Sequence, residues 1–184
     1  MLRRIILIII VIIIAVGVWA WFTANEVVRS ERDVEAKFND IVTYYVQMDK
    51  QYVSPLVQIP GLPDADRISL EKISQDLSSL GGAGGTDDRY KRLLVSQQAM
   101  IQYFATPGLS ELVLGDPRYS EWNTNATSRG EVSALILNYN QSLSRYNVQK
   151  DTVVGKLMTN WTKWPYPAYL SLEGKTATST LIRF

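Results

Sequence analysis

Ser69-Leu70-Glu71-Lys72 matches the S-x-x-K pattern, and Lys175-Thr176 partly matches a K-T-G box. Together these residue types suggest acyl transfer, with serine as nucleophile and lysine as its base. That chemistry needs a larger α/β scaffold and a third motif, so a structural role for both short matches is expected. Asp64, Asp66, Asp87 and Asp88 are the oxygen-rich positions. Their spacing lacks the regular ligand loop with a distal glutamate that calcium requires, and helix capping is the simpler expectation. GGAGG at 81–85 is not followed by the lysine and Ser/Thr of a phosphate loop, so it reads as a flexible linker.

The chain contains no histidine and no cysteine. It therefore cannot build a Ser-His-Asp triad, an imidazole metal site, a thiolate nucleophile, a disulfide or an iron–sulfur cluster. The expectation is no enzyme, with no catalytic, cofactor-binding or metal-ligating residue. A net charge of +1 over 184 residues argues against nucleic acid as a partner.

The elements that would position any site begin with an apolar run. MLRR precedes IILIIIVIIIAVGVWAWF, residues 5–22, which carries no charge. As a helix these residues span roughly 27 Å, close to the about 30 Å of a bilayer core. Trp19, Trp21 and Phe22 stand at one end, where aromatic rings favour the interface. A cleaved signal peptide is the alternative, but the small residue near a cleavage point, Ala20, is flanked by tryptophans. The reading is a signal-anchor, with the lipid bilayer as partner through residues 5–22. It implies a single-pass inner-membrane protein with a cytoplasmic N-terminus and the remainder periplasmic or extracellular.

Beyond the anchor the pattern becomes periodic. Val34, Phe38, Ile41, Tyr45, Met48 and Tyr52 alternate spacings of four and three, a bundle seam that predicts a helix over about 25–57. Pro55 is expected to kink or end it, and IPGLPD at 59–64 to break the chain. Thr23-Ala24-Asn25 permits either a continuous rod or a hinge. Ile68, Leu70, Ile73, Leu77 and Leu80 predict a second helix; Tyr90, Leu93, Leu94, Met100, Ile101 and Phe104, after an N-cap at Thr86-Asp87-Asp88, predict a third. A short helix is expected around Leu109–Leu114. Ser128-Arg129-Gly130-Glu131 matches a capping box, ahead of a stripe of Val132, Leu135, Ile136, Tyr139, Leu143 and Tyr146 on a helix to about 150. The fold class is all-α: an N-terminal transmembrane helix followed by an elongated antiparallel bundle of about four helices. The division expected is 1–24 anchor, 25–175 helical bundle domain and 176–184 peripheral C-terminal tail.

Tyr139-Asn140 returns one heptad later as Tyr146-Asn147. The tyrosines fall on one helical face; the asparagines flank it, where they could hydrogen-bond a neighbouring helix and set its register. A binding groove is the competing reading. With the apolar N-terminal segment, the long first helix and Val153-Val154-Gly155, this repeat resembles the LemA family of prokaryotic membrane-anchored helical proteins. The run Trp164-Pro165-Tyr166-Pro167-Ala168-Tyr169 is similar to the family's aromatic and proline closing element. Phe38 stands where the family has a tryptophan, and Met48-Asp49 roughly where it has an arginine pair. The resemblance implies a membrane-anchored helical domain and transfers no catalytic activity. Trp161, Trp164, Tyr166 and Tyr169 would close one end of the bundle, or else rest at the membrane interface or hold an extended partner. The function expected is a membrane-anchored scaffold or adaptor of the cell envelope, working through protein–protein contact or as a homo-oligomer. The alternatives are an envelope maturation enzyme and a lipid- or peptidoglycan-binding module. The sequons at Asn125, Asn140 and Asn160 match by pattern alone.

Overall fold

Helix α1 (Leu2–Met48) runs without interruption from the apolar segment into the periodic one. The computed structural model describes residues 2–82, 86–105, 109–128, 130–162, 169–170 and 176–177. At Thr23, where a hinge was open, the hydroxyl donates to the Trp19 carbonyl at 3.0 Å, and the helix continues. Helical structure extends to Val57, through a π-helical turn (Asp49–Val53) and α2 (Ser54–Val57). The π turn lies just before Pro55. Proline lacks an N–H and crowds the carbonyl four residues earlier, and a wider turn relieves that crowding. Its signature is the Ser54 N–H, which donates to the Asp49 carbonyl.

The break that follows turns on Gly61, whose φ of 77° is a conformation side chains disfavour. Then come α3 (Asp64–Ser79), α4 (Thr86–Ala105), α5 (Glu111–Leu114), α6 (Pro117–Ser128), α7 (Gly130–Lys150) and α8 (Val153–Thr162). Two short strands, β1 (Tyr169–Leu170) and β2 (Thr176–Ala177), pair antiparallel, Leu170 opposite Thr176. The described residues are thus almost entirely helical. The strand pair and α8 were not anticipated; at two residues a strand shows no alternation to read. The helix expected from the 128–131 segment to about 150 is α7, and a separate helix, α6, precedes it. The side chains of the proposed capping box at 128–129 and of the Thr86-Asp87 cap lie outside the described residues, as do 178–184 of the tail.

The chain divides into two compact units, Met1–Ala36 with Gln141–Trp164, and Lys37–Asn140 with Pro165–Phe184. In the second, the seam residues Phe38, Ile41, Tyr45, Met48 and Tyr52 are all buried, with Leu70, Ile73, Leu77 and Leu80 of the α3 stripe and Tyr90, Leu93 and Met100 of α4. Two assigned core residues are exposed. Ile68 breaks the three-and-four spacing that Leu70 begins, and Ile101 follows Met100 onto the next face. Gln97 occupies the seam position instead, fully buried, its amide donating to the Tyr45 hydroxyl at 2.5 Å. A polar residue on the apolar stripe was passed over because its partner lies on another helix.

Carbonyls at the end of α3 are met from α4: Arg89 Nε donates to Leu80 O and Arg92 to Ser79 O, both at 3.3 Å. These cations satisfy acceptors that the helix leaves open. At α6, Arg118 holds Asp116 bidentately, at 2.8 and 2.6 Å, and donates to Pro55 O at 3.2 Å, so one side chain joins α6 to α2. The Arg118 hydrogen bond holds the Asp116 carboxyl below the usual carboxylate range. Its contribution is therefore present above the ordinary carboxylate pKa and lost as pH falls through the lowered one. Because the guanidinium is partly exposed, Asp116→Asn is expected to cost only about 0.5–1 kcal/mol at neutral pH. Urea titrations at neutral and acid pH check this, with the difference between the chains vanishing in acid.

Candidate functional site

The tyrosine–asparagine repeat is the natural place to begin. Tyr139 and Tyr146 are completely buried. In the second unit Tyr139 lies 6.0 Å, centroid to centroid, from Phe38, which in turn lies 6.3 Å from Tyr90. Burial raises the Tyr139 hydroxyl well above its ordinary pKa, and its oxygen has no hydrogen-bond partner. Both rings fill core, leaving no tyrosine-lined groove on this face. Asn140 is also buried, and its amide is used in full toward β1. Its Nδ2 donates to Leu170 O at 2.8 Å, and Leu170 N donates to its Oδ1 at 3.0 Å. The side chain reproduces the pairing of a neighbouring strand, so the register it sets is that of the C-terminal segment. The expectation of a neighbouring helix as partner is corrected accordingly. Asn147 is half-buried in the first unit and is engaged there.

The other sequence candidates do not converge. Ser69 Oγ donates to Ala65 O of its own helix at 2.8 Å, Lys72 is exposed, and Lys175 lies outside the described residues. Asp66 accepts from the Tyr103 hydroxyl at 3.2 Å, Asp64 sits near Arg67 at 3.9 Å, and Asp88 is exposed. Among the described residues no three acidic side chains stand close enough to hold a metal. Trp161, Trp164 and Tyr166 have side chains outside the described residues. Tyr169 belongs to β1, and its carbonyl accepts from the Tyr90 hydroxyl at 3.5 Å.

One polar site was missed. Asp49, the first residue of the π turn, is only 4% exposed, and its Oδ1 has no partner. Burial pushes its carboxyl up, opposed by a hydrogen bond from Ser74 and by Lys50. Ser74 also lines a groove of about 340 Å³ with Ser54, Gln58, Glu71, Gln75, Ser78 and Val57. A buried carboxylate on a π turn beside the Ser74 hydroxyl is an arrangement able to accept a proton or hydrogen-bond donors. The signal available in sequence was an aspartate directly after the seam residue Met48, at the place where the π turn brings an extra residue inward.

The remaining feature is apolar. Helix α1 is long and apolar enough near the N-terminus to cross a membrane, and none of that stretch is buried against the chain. Ile5–Ile14 and Trp19, Trp21 and Phe22 are all exposed, whereas from Val27 the helix buries one face. No family model matches this chain, and no curated protein or solved structure matches it either.

Proposed function

We propose that the chain is a single-pass membrane-anchored scaffold or adaptor of the cell envelope, a divergent relative of the LemA family. Residues 5–22 sit in the inner membrane, the N-terminus is cytoplasmic, and the helices beyond form an elongated antiparallel bundle on the outer side. It acts by contact with other envelope proteins or with its own copies, without catalysis. The observation that carries this reading is the exposed apolar run, which none of the described residues covers while the same helix buries a stripe further on. Apolar surface of that length avoids water, and a bilayer core of matching thickness would cover it.

Two measurements test it. Cysteine substitution is unambiguous in a chain with no native cysteine, and labels beyond residue 30 are expected to react from outside intact cells; protection there overturns the orientation. Crosslinking of the full chain in native membranes is expected to capture envelope proteins or itself, and absence of any adduct at normal expression overturns the scaffold.

Asp49 favours a second reading, an envelope enzyme acting through a carboxylate. Its raised pKa means that the folded chain retains a proton after the unfolded chain has released it. Stability therefore falls as pH rises from the ordinary carboxylate value through the raised one. Asp49→Asn is expected to remove that fall and to be the more stable chain at neutral pH by about 1 kcal/mol, measured by thermal melts across pH. Loss of cellular function in this stable variant supports the enzyme; full function removes it.

A further inference from the structure

We propose that α8 is an interfacial membrane helix, seating Val153 and Leu157, with Val148 at the end of α7, in the headgroup zone of the bilayer that holds residues 5–22. This rests on the reading of α1 as the anchor and adds a second place where the chain meets lipid.

The first argument is register within the first unit. Ser142 Oγ donates to Asp33 Oδ2 at 2.5 Å, placing that point of α7 beside that point of α1. Val27, nearly two turns nearer the anchor than Asp33, is buried at 2% exposure, in a unit whose other part is residues 141–164. The segment following Ser142 therefore runs back along α1 toward its apolar end. Both helices rise about 1.5 Å per residue, so an equal number of steps brings Lys150 opposite Asn25. That level is one turn beyond Phe22, where the apolar run and its aromatic ring positions end. Aromatic side chains at such a boundary mark the depth of the headgroups.

The second argument is the corner. Asp151 N donates to Asn147 O and Thr152 N to Gln149 O, and Gly155 N donates to the Thr152 hydroxyl at 3.1 Å. Gly155 is buried so closely on the α7 terminus that a Cβ there would clash with the Gln149 carbonyl oxygen. Helix α8 is thus held at the end of α7 by its glycine side. Two residues before and after that glycine, on the opposite side, Val153 is 73% and Leu157 64% exposed; Val148 is 67% exposed. The i, i+4 spacing of Val153 and Leu157 makes a stripe on α8, at the level of the apolar end of α1.

Charge at this level nearly balances, with Arg29, Lys150 and Lys156 against Glu26 and Asp151. Partition of the apolar side chains, and not attraction to anionic headgroups, is therefore the driving term. The contact is accordingly expected in neutral phosphatidylcholine and insensitive to salt.

The test uses the full chain with single cysteines carrying an environment-sensitive fluorophore, reconstituted in phosphatidylcholine vesicles. Spin labels are placed on the lipid headgroup or deep in the acyl chain. Labels at Val153→Cys and Leu157→Cys are expected to lose fluorescence several-fold more than one at exposed Arg32→Cys when the spin label is at the headgroup, with little response to the deep one. Ile13→Cys must respond to the deep label. If it does while the α8 positions stay bright, the proposal is overturned and the anchor stands; if Ile13→Cys also stays bright, the anchor reading has failed. Self-quenching between labelled copies without lipid quenching also overturns the proposal, since a second chain then covers the face.

Discussion

Replacing Asn140 with leucine is expected to destabilise the second unit by about 3–5 kcal/mol, because it leaves two buried backbone groups unsatisfied at once. Asn140 donates to Leu170 O and accepts from Leu170 N, and both residues are buried. Leucine keeps the branch at Cγ but is the larger side chain, so some overpacking adds to the lost hydrogen bonding, and the aspartate variant is the control for it. Asn140→Asp separates the two halves: the acceptor for Leu170 N survives, the donor to Leu170 O does not, and a charge is placed in the interior. Chemical denaturation of the full chain in detergent measures the magnitudes. Hydrogen exchange at Leu170 reports the site, since its amide is expected to lose protection before the helices do. Unchanged protection at Leu170 in the leucine variant contradicts the assignment. The matching Asn147→Leu change lies in the other unit and leaves Asn140 and its bonds to Leu170 in place, so its effect on the Leu170 amide is expected to be nil.

Gly155→Ala is the second large effect. The added carbon would clash with Gln149 O and fall 2.8 Å from Lys150 O, both backbone atoms that cannot swing aside. The glycine is needed for space, not for an unusual φ. Relief requires the α7–α8 corner to open, at about 2–3 kcal/mol or more. The helical content is expected to persist, since alanine itself favours helix. What changes is where α8 lies. The same variant should therefore weaken headgroup quenching at Leu157→Cys while leaving Ile13→Cys untouched. Gly130→Ala, at a glycine with open space around it, is the control and is expected to be neutral or slightly stabilising.

Much of the molecule was legible because its signals are local. The apolar run needed only composition, and the continuation to Val57 needed only the alternation of four and three through Tyr52. The break at 59–63 needed only Pro60, Gly61 and Pro63. Errors came where a local pattern admits two outcomes. Ile68 and Ile101 are apolar neighbours of true stripe residues, and a one-residue offset on a helix turns a side chain by about 100°. The extension from Val153 to Thr162 was overlooked because the helix before it ends in a turn with no glycine or proline inside it; Gly155 sits within α8, a position that sequence reads as a breaker.

The sequence by itself determined most of the helical stretches and most of their apolar faces, and which stretch has no polar face at all. Those properties follow from periodicity along one segment, and neighbours in the chain suffice to express them. Only the tertiary structure decided what the polar residues on the apolar faces do. Asn140 meets Leu170 thirty residues on, Gln97 meets Tyr45, and Ser142 meets Asp33 across most of the chain. Asp49 meets too little, its second oxygen left alone beside Ser74. A hydrogen bond has a partner and a direction as well as a face, and the partner's place is set by how separate helices come together.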